Sequence, residues 1–265
     1  MNTFARIRSS LPRALLAAAL GGVCASALAA DGLERAKQRG ELLAGIHYVV
    51  PEYKGGMKFR TAEALDTALL EDVARRVKLP LATVRADTGQ ADIALVTLAE
   101  SDPLRRFSSV IPTGYFAGPM AIMRTDTDIK AWEQLKGRKV CVSEGGLYAG
   151  TLAARYGAIE KVHKTPADSL LALRIGACDA AVHDSTMLEQ LIKLPEWKKF
   201  SARLPVGPRT TLAFVVPAGD KKSAAVLKRV AIAWAANGYL DHLVNKAVRQ
   251  IAFEVYLDQD VPDCH

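Results

Sequence analysis

The stretch LLALRIGACDAAVHDS, residues 170–185, sets the architecture of the chain. It leaves a helix expected over Pro166 to Ile175, turns, and enters a short apolar strand, Asp179 to His183, with Asp184 at the strand's carboxyl end. A strand at Lys161 to Lys164 precedes it and a helix at Thr186 to Lys193 follows. Strand, helix, strand, helix at this spacing is the signature of parallel strands joined by crossover helices.

The same alternation extends in both directions. Upstream, Ala121 to Arg124 is a strand, Ile129 to Leu135 a short helix, and Lys139 to Val142 a strand that turns through Gly145-Gly146 into a helix at Tyr148 to Tyr156. Further back, Glu41 to Ile46 reads as a buried strand, and Leu65, Leu69, Val73 and Val77 recur every four residues along a helix at Thr61 to Val77, which Pro80 ends. Strands at Leu81 to Arg85 and Asp92 to Thr97 are joined through Asp87-Thr88-Gly89. Downstream, a strand at Thr211 to Val216 leads to a helix at Ser223 to Ala236, with Asn237-Gly238 suited to a left-handed C-cap.

Length, composition and charge narrow the function classes. The chain has 265 residues, half of them hydrophobic and 24% charged, an ordinary globular balance. Its formal charge of +7 points toward nucleic acid at first sight. Residues 1–30, however, hold Arg6, Arg8 and Arg13 with no acid, then the apolar run Ala14 to Ala25 and a small-residue site at Ala27 to Ala30. That is the pattern of a secretory signal peptide, too short in its apolar part to anchor in a bilayer. Without it, 32 basic and 28 acidic residues remain among 235, a charge of +4, and the case for nucleic acid largely disappears. Cys24 lacks the small residue a lipoprotein signal places just before its cysteine. The exported chain keeps Cys141, Cys178 and Cys264, which allow one disulfide and a free thiol, or three buried thiols.

No motif for hydrolysis or metal binding stands out. The five histidines show no H-E-x-x-H spacing, and the chain has neither G-x-S-x-G nor G-K-S/T after its glycine-rich turn. Ser143-Glu144-Gly145-Gly146-Leu147, between a strand and a helix, offers free amides to an anion. Arg105 and Arg106 follow another strand end, and Asp184 ends a third. Ligands in open α/β sheets collect beyond the carboxyl ends of strands. A guanidinium facing an aspartate across a cleft suits a zwitterion, the carboxylate on the arginine and the ammonium on the aspartate.

At these residues the chain resembles the periplasmic solute-binding proteins of polar amino-acid ABC importers, the bacterial extracellular solute-binding proteins of family 3, from about Glu41 to Lys246. Residues 170–185 are similar to the family's ALLnGrvDAvvvDs, Trp132 to Val140 to ddLkGkkVgv, and Ala236 to Leu240 to kanGty. Pro103-Leu104-Arg105 resembles the P-E-R whose arginine holds the ligand carboxylate, and Asp184 falls on the ammonium-binding aspartate. The resemblance implies an α/β, two-lobed periplasmic-binding-protein fold of type II, the Venus flytrap, each lobe a mainly parallel sheet flanked by helices. Its mapping makes residues 31–118 and 208–265 lobe one and 119–207 lobe two.

The implied function is a non-enzymatic periplasmic receptor, monomeric and without metal or other cofactor. It captures an amino acid or similar small polar solute and delivers it to an inner-membrane ABC permease. Expected ligand-binding residues are Arg105, Asp184, Thr97, Gly145, Gly146, Leu147, Tyr48 and His183, with Tyr53 a second aromatic wall. The chain departs from the pattern at Ala64 to Leu69, at the short segment Ala86 to Ala91 and at Gly145 to Leu147, which implies a wider and less specific cleft. Two alternatives share the fold: an enzyme resembling cyclohexadienyl dehydratases, with Glu144 as its acid, and an accessory protein of a quinoprotein dehydrogenase.

Overall fold

The computed structural model describes residues 31–49 and 65–258. Residues 1–30, expected to be a signal peptide, together with Tyr53, the start of the helix expected from Thr61, and Cys264, lie outside the described residues. In chain order the helices are α1 (Gly32–Arg39), α2 (Leu65–Val77), α3 (Leu104–Phe107), α4 (Thr151–Tyr156), α5 (Pro166–Arg174), α6 (Ser185–Leu191), α7 (Lys221–Asn237) and α8 (Tyr239–Leu257). Local chemistry sets several of their ends. Thr165 caps α5 by accepting from the Asp168 amide at 3.3 Å, with Pro166 in the first turn. Asp220 caps α7 by accepting from the Ser223 amide at 2.9 Å, and Gly238, at φ 64°, closes it in the left-handed conformation that its sequence invites.

The strands form two five-stranded sheets. The first holds β1 (Leu42–Ile46), β2 (Leu81–Arg85), β3 (Ile93–Ala99), β4 (Ser108–Ala117) and β10 (Thr210–Pro217) in the order β2-β1-β3-β10-β4. The second holds β5 (Pro119–Met123), β6 (Lys139–Ser143), β7 (Ile159–His163), β8 (Ala180–Asp184) and β9 (Ala202–Arg203) in the order β7-β6-β8-β5-β9. Pairings β2-β1-β3 and β7-β6-β8 are parallel, while β10 and β5 run against both of their neighbours. Four strands in each sheet therefore point one way, which is the two-lobed periplasmic-binding-protein architecture with mainly parallel sheets. The main core is continuous across both sheets: Leu42, Ile46, Leu69, Leu70, Ile93 and Phe214 share one buried cluster with Met120, Ile122, Leu170 and Leu188, and Val140 belongs to a smaller cluster on the far side of the second sheet, all essentially inaccessible.

The chain crosses between the sheets at Gly118, and again between β9 and β10. Ser185 donates its amide to the Gly118 carbonyl at 2.9 Å, and Gly207 donates to the Pro119 carbonyl at 2.9 Å. The two crossings touch so closely that a Cβ on Gly118 would stand 2.7 Å from the Gly207 oxygen, so only glycine fits.

Helix α8 has no counterpart among the elements expected from sequence. It begins directly after the α7 cap and packs on α2 and α7 on one side and on α5 and α6 on the other, so it joins both lobes. Its entry is held by Trp234 of α7. That ring lies 5.8 Å from Tyr239, and its Nε1 donates to the buried Asp72 carboxylate of α2 at 2.7 Å. Arg75 and Arg76 also bond Asp72, Arg76 through Nε at 2.5 Å. Cys141 and Cys178 form a disulfide, Cα–Cα 5.9 Å, that ties β6 to the approach to β8.

Candidate functional site

The carboxyl ends of β1, β3, β6 and β8 surround a cavity of about 140 Å³ between the lobes. Its polar lining comprises Asp184 at the end of β8, Asp66 in the first turn of α2, His47 after β1, Thr97 on β3, Tyr115 on β4, and Tyr148 beyond β6. The remainder is apolar: Leu65, Leu95, Leu147, Met187, Leu212 and Ile251 are the larger side chains, and Ile251 comes from α8. No lysine or arginine is among the described lining residues. A largely apolar chamber whose described lining carries two carboxylates has an electrostatic character that favours a positively charged guest.

Asp184 is held by donors from both lobes. Tyr115 Oη donates to its Oδ2 at 3.0 Å and Tyr148 Oη to its Oδ1 at 2.5 Å. The phenols orient the carboxylate.

A bulge in β4 aims Tyr115. Thr211 pairs with Phe116 and Ala213 with Pro112, so Thr113, Gly114 and Tyr115 oppose Leu212 alone. Gly114 takes φ 96°, and Thr113 Oγ1 both donates to the Leu212 carbonyl at 2.8 Å and accepts from the Tyr115 amide at 3.1 Å. Tyr148 sits on the loop after β6, where Glu144 donates its amide to the His163 carbonyl and Gly146 donates to the Ser143 carbonyl. Across the cleft, the Tyr48 ring lies against Gly145, whose added Cβ would approach it to 2.7 Å.

Of the residues expected to bind ligand, Thr97, Gly145, Gly146, Leu147 and Asp184 come together at this cavity. Arg105 does not. It sits on α3, with its Nε donating to the Ala99 carbonyl at 2.9 Å, and is absent from the lining. Tyr48 packs on the glycine loop behind the lining, and His183 is buried beneath α5, its Nε2 2.9 Å from Ser169 Oγ. The helix after the glycine turn starts at Thr151, three residues later than expected. Its opening amides, those of Leu152 and Ala153, together with that of Gly150, bond the Glu160 carboxylate at 2.6 to 2.8 Å, and within the turn expected to offer free amides those of Glu144 and Gly146 bond the His163 and Ser143 carbonyls. Glu144 is exposed and lies off the lining. Sequence reasoning missed Tyr115 and Tyr148, together with His47, Asp66 and the α8 wall. Asp66 was legible as an acid in a helix's first turn, whereas nothing short of the bulge marks Tyr115.

No protein-family model matches the chain, and no curated protein matches it. Solved structures do. A mutant of ArgBP from T. maritima aligns at 20% identity over 82% of this chain and 99% of that one, TM-score 0.58. AbpA from Streptococcus pneumoniae, an amino acid ABC transporter substrate-binding protein bound to L-arginine, aligns at 16% identity over 82% and 98%, TM-score 0.57. The ancestral amino acid-binding protein AncCDT-1, a precursor of cyclohexadienyl dehydratase, aligns at 19% identity over 82% and 99%, TM-score 0.56. At these identities the likeness establishes a shared two-lobed fold.

Proposed function

We propose that the protein is a periplasmic solute receptor of the ABC-importer type. It captures a small cationic, amino-acid-like solute between its lobes and presents it to a membrane permease. Residues 31–118 and 208–265 would serve as lobe one and 119–207 as lobe two. It acts as a monomer, without catalysis and without a cofactor. The observation that carries this reading is the Asp184 carboxylate, held by two phenols at a strand end in a cavity between the sheets that Asp66 also lines. An ammonium or guanidinium would sit on Asp184 and Asp66, while Leu95, Leu212, Met187 and Ile251 pack its apolar body. Thr97 and the Gly145–Leu147 backbone supply the remaining polar contacts.

With Arg105 outside the lining, an amine without an α-carboxylate is accepted at least as well as an amino acid. The shared fold of ArgBP and AbpA supports the receptor reading, and the placement of Glu144 counts against the dehydratase reading.

Calorimetric titration and thermal shift with L-arginine, L-lysine, putrescine, L-glutamine and L-glutamate test it. Cationic compounds should stabilise the protein, by about 2.7 kcal/mol at a hundredfold excess over Kd. Asp184→Asn should weaken them at least tenfold. Binding of L-glutamate alone, or of no compound in the set, would overturn the proposal.

A further inference from the structure

Beneath α5, outside the cavity lining, the second lobe gathers sulfur and imidazole donors from three places in the chain. Cys141 lies on β6, Cys178 precedes β8, and His163 ends β7. Their donor atoms all lie within 4.8 Å of one another, and His163 Nε2 is 3.1 Å from Cys141 Sγ. The parallel register explains the convergence. Cys141 pairs with Lys161, and His163, two residues further on, points to the same face. Solute capture uses none of the three.

We propose that this cluster is a redox-gated zinc site: the disulfide excludes metal, and the reduced pair together with His163 binds one Zn²⁺. Two thiolates and an imidazole are zinc donors by type, with a fourth position left for solvent on the half-buried His163 side. Burial selects among thiophilic ions. Cys141 is inaccessible and Cys178 only 6% exposed, so a divalent ion that cancels both thiolate charges is favoured over a monovalent one that leaves a net negative charge inside the protein.

The reductant is a dithiol. One of its thiolates attacks the more accessible Cys178 sulfur, breaking the Cys141–Cys178 bond and expelling Cys141 as a thiolate beside His163. Its second thiolate then attacks the mixed disulfide, closing the reductant's own disulfide and releasing Cys178 as a thiolate. Two electrons pass from the dithiol to the protein pair. The dithiol's two protons go to solvent as Zn²⁺ takes both protein thiolates.

The test uses the full chain carrying Cys24→Ser and Cys264→Ser, so that only the pair remains. Zn²⁺ is titrated anaerobically against a chromophoric chelator before and after reduction, native mass spectrometry gives the stoichiometry, and Co²⁺ serves as a spectroscopic probe. One zinc per reduced chain, none per oxidised chain, and sulfur-to-cobalt charge-transfer bands with tetrahedral d–d bands are expected. His163→Ala should weaken zinc at least tenfold while leaving the oxidised protein's Tm in place. The proposal is overturned if the reduced chain takes no more zinc than its Cys141→Ser, Cys178→Ser derivative, or if His163→Ala binds as the parent does. It is equally overturned if reduction unfolds the chain and zinc does not restore the native circular dichroism.

Discussion

A carboxylate that accepts from two phenols on different lobes is both a ligand anchor and a lobe contact, and the two roles separate by substitution. Tyr148→Phe removes a donor without changing shape and should cost about 1 kcal/mol of stability, read by denaturant unfolding, with a severalfold loss of solute affinity. Tyr115→Phe should behave similarly, and the double variant should fall short of additivity because both donors share one carboxylate. Arg105→Ala should change the affinity for a cationic solute less than twofold in the same titration, because its guanidinium is turned back onto the Ala99 carbonyl. Asp184 was legible in the sequence because it ends a strand whose whole neighbourhood follows a pattern. The partner expected opposite it was not, since a four-residue helix carries Arg105 away from the cleft and a bulge brings Tyr115 in.

Single residues also hold elements in place. A methyl group on Gly118 meets the Gly207 carbonyl at 2.7 Å, a backbone atom with little room to yield, so Gly118→Ala should lower stability by about 1–3 kcal/mol and move Tm accordingly. Asp72 joins α2 to α7. Burial raises its pKa, but hydrogen bonds from Arg76, Trp234 and Arg75 outweigh that and hold the carboxyl below its ordinary range. A group whose pKa is lowered on folding stabilises the native state above its unfolded value, about 3.9, and this contribution is lost as pH falls below that toward the folded value. Tm measured against pH should therefore show an acid limb that Asp72→Asn flattens, at a cost of about 2 kcal/mol near neutrality. Most strands and helices were readable because each has an apolar period and a stop signal. Helix α8 repeats apolar positions at Leu240, Val244, Val248, Ile251 and Val255, yet its role was hidden. A period marks which face is buried and is silent on which neighbour buries it.

Across the whole molecule, α8 packs on helices of both lobes, Tyr115 reaches Asp184 across the cleft, and Tyr48 rests on Gly145. These contacts exist with the cavity walls already together, and α8 opposes wide opening. Small-angle scattering without and with a saturating cationic solute should therefore give superimposable profiles, and a compaction on binding would show that α8 yields. Truncation after Gly238 strips Val244, Val248, Ile251 and Val255 from the shared core and should unfold the chain cooperatively, as read by circular dichroism. The family resemblance implied the two lobes; local pattern by itself determined the alternation of strands and helices and the Asp184 strand end. The last two are properties of local periodicity and of turn chemistry, which act between near neighbours in the chain. Tertiary structure alone decided which cysteines pair, which groups face Asp184 and what closes the cleft. Each depends on residues far apart in sequence meeting through bulges, crossings and a bridging helix, where displacements of a few ångströms decide contact and no local pattern records them.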